Sequence, residues 1–124
     1  MSIGVAMDQL ESTLANYHFA YLLTVTPDGR AHAVAVTPLV LGDNLLLPTV
    51  GTKSRANAAQ RPLVSLVWPP TQADDYTLIV DGEAAESGDG LTVRPTRAVL
   101  HRPHQGGPSS PTGCDSDCVP IGAA

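Results

Sequence analysis

Six apolar runs, each six to ten residues long and each closed by a turn or a proline, divide most of this chain. Runs this short suit strands better than helices, which need ten or more residues to bury a face. Phe19–Val25 is almost wholly apolar. It is followed by Thr26-Pro27-Asp28-Gly29-Arg30, in which proline, aspartate and glycine each suit a turn position, and then by Ala31–Thr37. These segments predict a β-hairpin. A second turn, Leu41–Asn44, leads to the run Leu45–Val50, and Leu63–Trp68 is closed by Pro69-Pro70. Tyr76–Val80 and Asp81–Ala85 predict one long strand bent or bulged at a glycine. Leu91–Leu100 is the sixth strand candidate, interrupted by Pro95.

Helical signals are few. Met7, Leu10 and Leu14 recur at helical spacing within Ile3–Asn16 and predict an opening amphipathic helix. Ser54–Gln60 is alanine-rich and stops at Arg61-Pro62, because a residue before proline is pushed out of the helical region. Six short strands with two small helices favour a mainly β fold, a small antiparallel barrel, over a parallel α/β sheet. Residues 1–101 account for the barrel domain. From Arg102 the composition changes to Gly, Pro and Ser, which predicts a flexible tail over 102–124.

Composition narrows the function. The net charge is −5 at pH 7, with 43% apolar and 15% charged residues. No basic stripe exists to neutralise phosphates, which argues against a general nucleic-acid surface and equally against an anionic membrane. No stretch reaches the ~20 apolar residues of a membrane span, and the N-terminus has no positive region of the signal-peptide kind. These features predict a cytoplasmic protein.

Against this acidic background, Gly51-Thr52-Lys53-Ser54-Arg55-Ala56-Asn57 stands apart, because it holds the chain's single lysine and an arginine two residues on. It lies at the predicted start of a helix. Free N–H groups there, with a lysine, an arginine and two hydroxyls, make an anion site. A capped surface helix with solvated cations is the competing account. Cations at a helix N-terminus are slightly unfavourable for the helix itself, so stability alone does not call for them.

The order Phe19–Val25, Pro27–Arg30, His32–Val36, Gly51–Asn57, Arg61–Val67 and Tyr76–Ala84 resembles the pyridoxamine 5′-phosphate oxidase-like family of flavin-binding split barrels. The resemblance covers about residues 10–100. It implies a six-stranded antiparallel split barrel with short helices, a homodimer, and flavin held in grooves between the subunits. It places the flavin phosphate on Thr52, Lys53, Ser54 and Asn57. Ser54 stands where many members carry a second basic residue, so Arg55 is the remaining cation. The flavin ring is implied to lie against Val34, Ala35, Val36 and Thr37 and against Thr49, Val50 and Gly51. Trp68 ends a strand near the implied groove, although a tryptophan before Pro-Pro also suits a core or an interface. FMN is the implied cofactor, with the deazaflavin F420 as alternative. A flavin-dependent oxidoreductase acting on a small organic substrate is the implied activity, and a non-catalytic flavin- or haem-binding protein is the alternative.

No nucleophile with a supporting base is visible. Ser54 and Ser65 lack a histidine–carboxylate partnership in sequence. His32 is a candidate for facing the flavin, though a strand histidine at a hairpin equally suits the surface. In the tail, His101, His104, Cys114 and Cys118 are zinc- or iron-ligand types. The two cysteines could also form a reversible disulfide, and unpaired thiols are the expected state.

Overall fold

In a computed structural model, which describes residues 2–103, the chain forms eight strands and two short helices. The strands are β1 (Ser2–Gly4), β2 (Ala20–Val25), β3 (Ala31–Val36), β4 (Leu39–Leu41), β5 (Asn44–Leu47), β6 (Leu63–Trp68), β7 (Thr77–Ser87) and β8 (Gly90–His101). The helices are α1 (Leu10–Leu14), preceded by a 3-10 turn at Met7–Gln9, and α2 (Thr52–Gln60). All pairings are antiparallel, in the order β3-β2-β6-β7-β8-β5-β4, with β1 added to β8.

The expected hairpin forms β2 and β3, with Val25 opposite Ala31. Gly29 closes the turn at φ +85°, a left-handed conformation that costs glycine little. Period-2 alternation then sorts the faces. Ala20, Leu22 and Thr24 are buried, while Tyr21 and Val25 are exposed. Leu66, Leu78, Val80, Leu91 and Val93 continue the interior, and Leu45 and Leu47 close it from β5.

Three expectations change. The described residues form eight strands, not six, because β1 and β4 are three-residue strands with little signal of their own. The opening segment is a strand, a 3-10 turn and five helical residues, not one helix over Ile3–Asn16. Leu10 of α1 is buried, but Met7 is exposed. Finally, Pro95 does not break β8. A register shift between Asp81 and Gly82 places Asp81 opposite Arg97 and Gly82 opposite Pro95, so Thr96 is the extra residue of a bulge. A Cβ on Gly82 would lie 2.7 Å from the Arg94 carbonyl oxygen, so the close approach at this bulge requires glycine. The other edge of β8 pairs β5 as far as Val93 and β1 from Val99. Pro95 sits in the gap between, where its missing N–H removes no ladder bond.

Candidate functional site

The first turn of α2 carries the site. Gly51 stands at its N-cap in an extended conformation, with no side-chain cap and no acidic residue in the first turn. The first intrahelical bond runs from the Arg55 N–H to the Gly51 carbonyl at 3.1 Å. The N–H groups before it have no intrahelical acceptor, as at any helix start. Thr52 and Lys53 are exposed on this turn. The helix ends at Arg61, where φ −134° and ψ 88° leave the helical region before Pro62, as the sequence predicts.

Two polar side chains hold α2 in place. Asn57 Nδ2 donates to Thr24 Oγ1 at 3.1 Å, with both residues buried. Ser54 is 1% exposed, and its Oγ lies 3.5 Å from His32 Nδ1. Thr24 and His32 are direct partners across β2 and β3, so both contacts fall on one rung of the hairpin. Helix spacing explains the pairing, since residues three apart share a face. Ser54 and Asn57 therefore face the barrel, and Thr52 and Lys53 are the groups left in solvent.

A carboxylate faces the same turn. Asp28, in the β2–β3 turn, has its pKa lowered, chiefly by the hydrogen bond from Thr26 Oγ1 and also by the Lys53 charge and by Arg30. Arg30 Nε lies 3.3 Å from its Oδ2. Arg61 NH2 reaches the Pro27 carbonyl at 3.5 Å. The hairpin turn and α2 thus share a mixed-charge surface.

Arg55 is half-buried, and its Nε is buried without an acceptor among the described residues. Buried donors are normally paired. The exposed Lys53 ammonium, the Thr52 hydroxyl and the first-turn N–H groups are donors of the kind a phosphate takes.

The other sequence-predicted residues divide. Val34 and Val36 are half-buried and pack against the core, while Ala35 and Thr37 are exposed on β3 and just beyond it. Among the described residues β3 pairs only with β2 and ends the sheet, so its other edge has no strand partner there. Val50 is buried, and its N–H donates to the Asp89 carbonyl at 3.0 Å, which ties the approach to α2 to the β7–β8 turn. Thr49 and Gly51 are exposed. Trp68 is 3% exposed and belongs to the core, so its ring packs the barrel and does not offer a surface. Ser2 Oγ lies 3.1 Å from His101 Nδ1, and the remaining tail ligand candidates, His104, Cys114 and Cys118, lie outside the described residues.

Thr24 belongs to no motif in the sequence, and Asp28 reads there only as a turn former. The signal for Thr24 was present. It is a hydroxyl at an inward position of a strand whose other inward residues are Ala20 and Leu22.

No protein-family model matches the chain. It is 39% identical to two uncharacterized mycobacterial proteins, Mb0449c of Mycobacterium bovis and MT0457 of Mycobacterium tuberculosis, over 93% of this chain and 93% of each. Among solved structures, an F420 reductase superposes with a TM-score of 0.60 at 20% identity, over 71% of this chain and 94% of that one. A Listeria innocua protein assigned as a pyridoxamine 5′-phosphate oxidase gives 0.58 at 16% identity, over 73% and 92%. A heme-binding protein of Mycobacterium smegmatis gives 0.52 at 21% identity, over 77% of this chain and 50% of that one. At these identities the structural likenesses establish the fold, a pyridoxamine 5′-phosphate oxidase-like split barrel.

Proposed function

This chain belongs to the family of the mycobacterial proteins Mb0449c and MT0457 and is built on the pyridoxamine 5′-phosphate oxidase-like split barrel, and from that premise we propose that it is a flavin-dependent oxidoreductase binding FMN at the first turn of α2. The observation that carries this proposal is the placement of Lys53 on an N-terminal turn that has no cap and no acidic residue. Thr52, Lys53 and the first-turn N–H groups would hold the phosphate, and Arg55, two residues along the same helix, would be a further cation. Ser54 and Asn57 would act through α2, by fixing its first turn on the Thr24–His32 rung. The free edge of β3 at Val34–Thr37, with Thr49–Gly51, would offer backbone donors and acceptors to the ring. When bound, FMN supplies the hydride-transfer chemistry, and the chain supplies binding and orientation. A small organic substrate would lie over the exposed ring face.

The site is open in one chain, and a second copy would complete it. Tyr21 and Val25 on β2 and Leu63 on β6 are exposed on the outer face, with Leu63 at 71%. β2 and β6 are paired neighbours, and apolar side chains exposed together on adjacent strands suit an interface. The proposed assembly is a homodimer, and the proposed setting is the cytoplasm.

F420 is a second reading of the same groove, favoured by the fold likeness to the F420 reductase. Titration of the purified chain with FMN and with F420 separates the two. Saturable binding of FMN at micromolar concentration, with flavin colour retained through gel filtration, supports the first. F420 binding without FMN binding supports the second. Failure of both at micromolar concentration removes the oxidoreductase proposal.

A further inference from the structure

The gap in the outer pairing of β8 opens into a cavity of about 450 Å³. It lies between the 3-10 turn and α1 on one side, the β4–β5 hairpin on another, and Arg94 and Pro95 of β8 behind. It shares no residue with the first turn of α2. This volume falls within the range of small-molecule sites. Met7, Leu10, Val40 and Leu45 contribute apolar lining. Met7 is exposed although it lies in a concavity.

The charges around that lining are one-sided. Asp8, Glu11 and Asp43 contribute three carboxylates, each without an ion pair among the described residues. Among the described residues the one cation on the lining is Arg94, whose NH2 is held 3.0 Å from Glu83 Oε2 on the neighbouring strand. Three unpaired carboxylates over an apolar lining attract a positive charge carried on an apolar body. A neutral ligand would gain only from the lining, and an anion would be repelled.

We propose that this cavity is a binding site for a small organic cation, an ammonium attached to an aromatic or alkyl body. The apolar body packs on Met7, Leu10, Val40 and Leu45, and the ammonium faces Asp8, Glu11 and Asp43. Asp8 and Glu11 lie three residues apart on the 3-10 turn and α1, and Asp43 comes from the β4–β5 turn, so the fold places all three on one lining.

The test is an amide NMR titration of the full-length, ¹⁵N-labelled chain with tryptamine, and in parallel with indole-3-acetate, which carries the same ring with the opposite charge. Tryptamine is expected to shift amides around Asp8, Glu11 and Asp43 while leaving those of β6 unchanged. Added salt is expected to weaken it in the wild-type chain, as screening requires for exposed charges. A Glu11→Gln/Asp43→Asn double variant is expected to lose tryptamine affinity at least about tenfold. Equal response to indole-3-acetate, shifts confined to other surfaces, salt-independent binding, or no response to tryptamine at millimolar concentration overturns the proposal. The wild-type comparison of the two probes stands even if the double variant does not fold.

Discussion

Asn57 on α2 donates to Thr24 on β2 across 3.1 Å with both side chains buried, and this bond fixes the angle at which the helix presents Thr52 and Lys53. Removing one partner strands the other in a buried position. Asn57→Ala is expected to destabilise the fold by about 1–3 kcal/mol, read as a lower denaturant midpoint. Thr24→Val removes the other partner and is expected to cost a similar amount. The double variant should lose less than the sum, since the two changes remove a single bond. Strict additivity would disprove the coupling.

Lys53 is the proposed phosphate anchor. Lys53→Ala is expected to weaken FMN binding at least tenfold, about 1.4 kcal/mol, with no change in thermal midpoint because the side chain is exposed. Riboflavin, which lacks the phosphate, should bind both forms equally. Unchanged FMN affinity in the variant removes the assignment.

Tyr17 gives the fold an alkaline limit. Its hydroxyl donates to the Tyr76 carbonyl at 2.9 Å, and its pKa is raised above the ordinary 10.0, first by burial and then by the Asp75 charge. The neutral form is favoured in the folded chain. Its contribution is therefore fully present below the unfolded value and is lost as pH rises toward the folded one. Above pH 10 the stability of the wild-type chain should fall more steeply than that of Tyr17→Phe, which begins lower for want of the hydrogen bond. Parallel pH profiles would show that Tyr17 is not responsible.

Leu63 tests the assembly. With 71% of its surface exposed on the outer face of β6, it is a proposed contact between subunits. Leu63→Asp is expected to raise the dimer dissociation constant at least about tenfold, measured by light scattering across a dilution series. A wild-type chain that is monomeric at high micromolar concentration would exclude the interface.

Much of this architecture could be read from residue order, for identifiable reasons. The β2–β3 hairpin follows from Pro27-Asp28-Gly29, and the end of α2 follows from Pro62. β6 matches the apolar run Leu63–Trp68 residue for residue. These are local rules. The elements that escaped depend on distant partners. Ser2–Gly4 becomes a strand because Val99–His101 offers it a free edge, and Leu39–Leu41 because it folds back on Asn44–Leu46. Pro95 reads locally as an interruption, and only the register with β7 reveals a bulge. At the candidate site, Lys53 and Thr52 were legible as donors. The inward roles of Ser54 and Asn57 were not, because spacing along a helix does not say which face meets the sheet.

Pro95 has one more effect. Among the described residues the outer edge of β8 is unpaired from Arg94 to Arg97, between Val93 and the Ala98 carbonyl that accepts from the Val5 N–H at 2.8 Å, and an unpaired stretch is where a stray strand could pair, the usual route to edge-to-edge aggregation. A proline there offers no donor, and the bulge at Thr96 bends the strand away from straight pairing. The residue that borders the split thus also makes it a poor template for a further strand.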